Sequence, residues 1–223
     1  MSVILEKIRT RGYWRVRVLP ANGEERIATL AGLEETVSAC GVSLRGWDFP
    51  HFDRHAGATV RHTNYIQQDV DWRGIVEFWR AYKSGQFIAF SALGSEWGSE
   101  DTDEPEVIER WLSVEDAIHR FTEIYAFASN WAEGLALEGE VAVGNELTCL
   151  DGRQLYLEPR RGGFRKQMVA AQDDWVHEQA CDVAALLTDP RELAIQPSLA
   201  LLEVFGLDIA ETTIRDIQSE LRS

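Results

Sequence analysis

The sequence predicts an α+β fold: a mixed, mainly antiparallel sheet or sheets with several helices, not a doubly wound one. Three observations carry this. Residues 13–18 set Trp14, Val16 and Val18 against Tyr13, Arg15 and Arg17, the period of a half-buried strand. Residues 113–134 repeat apolar side chains at helical spacing behind Ser113-x-x-Asp116, a hydroxyl cap followed by an acid at the exposed amides. Strand and helix patterns also follow one another without the regular βαβ alternation of a parallel sheet.

Taken in order, residues 12–20 form the first strand, and Leu30, Leu33, Val37 and Cys40 mark a short helix that Gly41 stops. Residues 42–49 read as a strand ended by Pro50. Residues 63–70 form a weaker strand pattern. From Trp72 to Tyr82 the apolar positions suit a helix buried on much of its circumference, with Gly85 as its stop and a strand at residues 86–93 after it. The capped helix carries Val114, Ala117, Ile118, Phe121, Ile124, Tyr125, Ala128 and Trp131 inward and ends at Gly134. Residues 140–150 and 154–158, joined by Asp151-Gly152-Arg153, predict a β-hairpin. Another strand is expected within residues 175–187. Helices follow at about 197–205 and 212–221.

A chain of 223 residues with a formal net charge of −15 has the length of one large domain or two small ones. Residues 1–93 hold 12 Lys and Arg against 10 Asp and Glu, residues 94–109 hold seven acids and no base, and residues 110–223 hold 10 bases against 20 acids. Three parts are therefore expected: an N-terminal α+β subdomain at 1–93, an acidic loop or linker at 94–112, and a C-terminal α+β subdomain at 113–223. One continuous domain is the alternative. The acidity disfavours DNA or an anionic membrane as partner of the chain as a whole. No apolar run reaches membrane-spanning length and the first residues lack a signal peptide's apolar centre, so a cytoplasmic location is expected. Cys40, Cys149 and Cys181 form no zinc-type spacing and read as reduced thiols.

Residues 42–55, VSLRGWDFPHFDRH, concentrate the residue types that do chemistry. A helical turn after Pro50 would put His51 and His55 on one face, with Asp48, Asp53 and His62 as further ligands for zinc or manganese. The general-base glutamate of an HExxH site is missing. The reading with fewer assumptions makes the stretch a fixed turn, with Gly46 at a bulge, Trp47 and Phe49 as anchors, and Arg45, Asp48 or His51 available to a ligand. A second, basic constellation combines Arg15 and Arg17 with Arg160, Arg161 and Arg165, a pattern suited to a nucleotide or single-stranded nucleic acid. Trp97, in an acidic glycine-containing loop, has the setting of an exposed anchor for a protein partner. No GxSxG, P-loop or GxGxxG signature is present, which leans the reading away from an enzyme.

RGYW at residues 11–14, RGWDFPH at 45–51, FWRAYKSGQF at 78–87, FTEI at 121–124 and the late PRELA and FG pieces together resemble a family of uncharacterised bacterial proteins. Related regions, above all the FWRxYxSGQF block, resemble segments found behind a Schlafen-like AlbA_2 DNA-binding domain. The resemblance implies a regulatory or interaction module, in bacterial defence by analogy, with a protein partner encoded by an adjacent gene; it transfers no catalytic residue. The leading expectation is thus a non-catalytic cytosolic module binding a protein partner or a small anionic ligand, with no cofactor. The alternatives are a metal-dependent hydrolase or nuclease centred on Asp48, His51 and His55, and nucleotide or single-strand binding through Arg15, Arg17, Arg160 and Arg161.

Overall fold

A computed structural model describes residues 2–72, 75–97, 110–158 and 167–221. In chain order its elements are α1 (Val3–Ile8), β1 (Tyr13–Pro20), α2 (Leu30–Cys40), β2 (Val60–Arg61), β3 (Tyr65–Trp72), β4 (Ile75–Tyr82) and β5 (Phe87–Ala92). Then come β6 (Trp111–Ser113), α3 (Val114–Gly134), β7 (Glu140–Leu147), β8 (Gln154–Tyr156), β9 (Trp175–Asp182), α4 (Val183–Thr188), α5 (Pro190–Leu193), α6 (Ile195–Val204) and α7 (Glu211–Gln218). Seven strands form one antiparallel sheet in the order β2-β3-β4-β5-β1-β7-β9, and β6 pairs with β8 in a separate parallel ribbon. The architecture is α+β. Because β1 pairs with β5 on one side and β7 on the other, strands from both halves of the chain share the sheet.

Strand alternation gives that sheet two different faces. Trp14, Val16 and Val18 of β1, Trp79 and Ala81 of β4, Phe87 and Ala89 of β5 and Val141 and Val143 of β7 join the larger core. Across this face lies α3, started by Ser113, whose Oγ accepts a hydrogen bond from Asp116 N at 3.1 Å. With α2 and α4 to α7 packed on its other sides, α3 buries Phe121, Ile124, Tyr125, Phe127 and Trp131. Truncating one of these to Ala would cost about 3–5 kcal/mol. The opposite face is covered in part by α1, whose Leu5 and Ile8 pack with Val76, Phe78, Phe90 and Trp97.

Several expectations need correction. Residues 75–82 are a strand, not a helix: Val76 and Phe78 meet α1 while Trp79 and Ala81 meet the α3 side, so burial on both faces erases the period-2 signal. Residues 42–49 are no strand. Val42 and Phe49 form one isolated bridge, with N–H to O distances of 3.0 and 2.8 Å, that closes the intervening residues into a loop. Residues 140–158 are no hairpin either, because β7 joins the main sheet while β8 finds its partner in β6.

A buried ion pair anchors the crossing between these layers. Arg153, fully buried, donates through Nη2 to Glu96 Oε1 and to Cys149 O (3.1 Å), and through Nη1 to Trp111 O (3.3 Å). Glu96 Oε2 in turn accepts from Gly12 N at 2.8 Å. A side chain at Gly12 would place its Cβ 2.6 Å from Arg153 Nη2, so only glycine lets the backbone approach this pair.

Candidate functional site

A cavity of about 380 Å³ opens where the loop of residues 42–55, the start of β4, the end of β5 and the first turns of α3 meet. Among the residues lining it are Arg45, Glu77, Arg120, Trp14, Trp47 and Trp111. Its volume lies within the range of small-molecule sites. Two guanidinium groups define its chemistry, and they are held very differently.

Arg45 is fully engaged. Its backbone lies at the surface on a turn that needs Gly46 at φ +83°, but its side chain turns inward and is 28% exposed. Nε and Nη2 make a two-pronged pair with Glu123, at 2.9 and 2.7 Å, and Nη1 reaches Asp116 Oδ1 at 3.1 Å. Burial alone would weaken its hold on the proton, yet the bond and charge of Glu123, then Asp116 and Glu77, outweigh it and the pKa stands above its ordinary value.

Arg120 is not engaged. It is one α3 turn from Asp116 and its side chain is 16% exposed. Its nearest carboxylate oxygens, Glu77 Oε1 and Glu123 Oε2, lie 3.9 and 4.0 Å away, beyond hydrogen-bond distance. Its Cζ stands 5.3 Å from the Phe49 ring. Arg120 thus lines the cavity between two carboxylates and an aromatic ring, with no hydrogen bond from its guanidinium to any described residue.

Glu77 completes the floor. Strand alternation puts it on the α3 face, where it accepts weakly from His51 N (3.3 Å) and Ser91 Oγ (3.4 Å). Burial pushes its carboxyl pKa up, Glu123 adds to this, and Arg120 and the two donors oppose it; the net direction is upward. The loop above is pinned by aromatic stacking: the Trp47 ring centroid lies 4.0 Å from that of His51 and 5.5 Å from that of Trp72, with the ring planes nearly parallel. Trp79 Nε1 holds His51 O at 2.7 Å.

The residues singled out in the sequence fare unequally. Arg45 lines the cavity. His51 contributes its backbone and a ring whose pKa burial lowers, against Asp48 and Asp53. No helical turn follows Pro50, so the expected sharing of one face by His51 and His55 fails. His55 is 93% exposed on the side chain and bonds Asp53 at 2.5 Å, while His62 stacks on Tyr65 with ring centroids 4.2 Å apart. Among the described residues no three His, Cys, Asp or Glu side chains gather as a metal-binding group. Arg15 and Arg17 do share the outer sheet face, each paired with an acid, Glu146 and Glu178 respectively. Arg160, Arg161 and Arg165 lie outside the described residues.

Trp97 is a correction. It is 6% exposed, packed against α1, with Arg11 Cζ 4.1 Å and Lys7 Nζ 5.1 Å from its ring. The sequence pattern missed α1, and with it the cover over Trp97. Cys40 and Cys181 are buried, which raises their pKa to about 11 and keeps them as thiols at neutral pH.

Glu77, Arg120 and Glu123 were not singled out by their sequence patterns. One signal was available for the first: read as a strand, IVEFWRAY puts Glu77 on the same side as Trp79 and Ala81, a charge on a core face. Comparison with protein-family models, with curated proteins and with solved structures returns no match.

Proposed function

We propose that this protein is a non-catalytic binding module that captures a small anionic ligand in the cavity beside α3. One observation carries the reading. Arg120 presents a guanidinium to the cavity with its closest acids 3.9 and 4.0 Å off, whereas each side-chain nitrogen of Arg45, in the same wall, is hydrogen-bonded to a carboxylate. A mostly buried guanidinium with carboxylates near it but no hydrogen bond to a described residue is under-satisfied, and an oxyanion supplies the paired, charge-assisted hydrogen bonds.

The stacked loop fits such a module, since ligand contact with Trp47 would bear on the residues that hold the lid of the site in place. A cytoplasmic setting and a protein partner encoded nearby that reads the loaded state are part of the proposal, and the resemblance of the RGWDFPH and FWRAYKSGQF blocks to bacterial regulatory regions supports the partner. No described helix is long and apolar enough to cross a membrane. Among the described residues no set of ligands converges for the metal-hydrolase alternative, and the nucleic-acid alternative has its two described arginines paired with acids.

Calorimetric titration of the purified chain with a panel of small anions, acetate, benzoate and inorganic phosphate among them, tests the reading. Saturable binding of at least one, weakened about 10- to 100-fold by Arg120→Met, is expected from the loss of a charge-assisted pair. Equal affinity in the variant, or no saturable anion, overturns it.

A further inference from the structure

The same cavity says which kind of anion it takes, on the premise that the binding reading above holds. Its electrostatics decide first. Arg45 already serves two acids, Glu123 and Asp116, and Arg120 stands within 4.0 Å of Glu77 and Glu123, so two guanidinium groups face three carboxyls. One added negative charge fits only with one of those carboxyls neutral. A phosphoryl dianion would bring a second charge close to those carboxylates, and like charges 4 Å apart repel by about 4 kcal/mol at an effective dielectric constant near 20. Nor does the start of α3 offer a phosphate cradle: Ser113 Oγ already accepts from Asp116 N, and Glu115 and Asp116 place two acids in the first turn.

Shape decides next. Trp14, Trp47 and Trp111 are among the lining residues, and the stack of Trp47 with His51 and Trp72 fixes its ring in place. Aromatic walls reward a planar apolar body, which stacks with little loss of internal freedom. Glu77 supplies the remaining contact. The charged and titratable groups around it are Arg120 and Glu123 from α3 and Arg45 and His51 from the loop, with the Ser91 hydroxyl beside it on β5. A carboxylate arriving at Arg120 adds a further negative charge to this group. Two carboxyl groups sharing one cation in a desolvated site hold a proton between them, taken from solvent.

We infer that the ligand is a planar aromatic or heteroaromatic monocarboxylate, seated with its carboxylate between Arg120 and a protonated Glu77. Over the pH range where Glu77 is ionised in the free protein, binding takes up a proton and tightens as pH falls, because that form must be protonated before the ligand can sit. Glu77→Gln imitates the protonated carboxyl and retains binding without the proton.

The test is calorimetry on the full chain with four probes: indole-3-carboxylate, cyclohexanecarboxylate, phenyl phosphate and inorganic phosphate. Each is titrated at about pH 5.5 and about pH 8 in two buffers of different ionisation enthalpy. Indole-3-carboxylate is expected to bind about 5-fold more tightly than cyclohexanecarboxylate, which lacks the stacking ring, and than phenyl phosphate, which lacks the charge match, and at least about 10-fold more tightly than inorganic phosphate, which lacks both. Its affinity should rise at least several-fold toward the lower pH, with proton uptake in wild type and neither effect in Glu77→Gln. If a phosphate binds as tightly through Arg120, or if affinity is indifferent to pH in wild type, the inference fails while the binding reading survives. If no probe binds, or if Arg120→Lys and Arg120→Met, both checked for fold by circular dichroism, bind every probe as wild type does, both fail together.

Discussion

Two buried Arg and Glu groupings sit on either side of the β6 region, and they differ in one respect. Around Arg153 the guanidinium bonds Glu96 and the carbonyls of Cys149 and Trp111, and Glu96 reaches the Gly12 amide. Around Arg120 the same residue types are present, with Glu77 and Glu123 as neighbours, but the guanidinium makes no hydrogen bond to any described residue. Burial and charge are common to both. Satisfaction is not. A sealed pair closes the structure on itself, whereas an open one leaves donors aimed at whatever can enter.

Breaking the sealed pair should produce the largest effect. Arg153→Met strands Glu96 in a dry site, and a loss of about 3–5 kcal/mol is expected in urea unfolding. A loss below about 1 kcal/mol would mean that the pair contributes little. The open grouping should respond differently: Arg120→Met removes a cation that makes no hydrogen bond, so stability should fall by less than about 1.5 kcal/mol while anion binding collapses. Equal losses in the two variants would erase the comparison.

Glu77 sharpens it through pH. Burial holds its carboxyl above the unfolded value, so the stability tied to its neutral form is fully present below the unfolded pKa and is lost as pH rises through the folded one. Glu77→Gln should therefore flatten the fall of thermal stability across that upper window, with a shift of at most about 1–3 kcal/mol. A variant whose stability falls as steeply as wild type over the same range would show that another group titrates. The smallest effect belongs to the outer face, where Arg17→Ala breaks a half-exposed pair with Glu178 and should cost about 0–1 kcal/mol. A larger loss would place unexpected weight on that face.

How much of this was legible follows from how local each feature is. The alternation of β1 and the capped start of α3 are written in adjacent residues, and the structure has both, Ser113 cap included. The β4 strand was misread because α1 and α3 bury its two faces, which leaves a continuous apolar run that mimics a helix. The turn at Gly152 suggested a hairpin, but the partner of β8 is β6, more than 40 residues earlier. Of the site, Arg45 stood out because it sits among glycine and tryptophan in a loop. Glu77, Arg120 and Glu123 each look ordinary in their own element, and only the packing of β4 under α3 makes them a group. Trp97 looked exposed because its cover comes from a six-residue helix at the other end of the half-chain.

The central claim is that the Arg120 guanidinium is kept open for an anion, and a crystal structure of the chain grown with indole-3-carboxylate addresses it most directly. The carboxylate should lie against both terminal nitrogens of Arg120 at about 2.7–3.0 Å, with the ring among the tryptophans. Arg120 found turned onto Glu77 in a full ion pair, with the probe absent from the cavity or bound elsewhere, would contradict it.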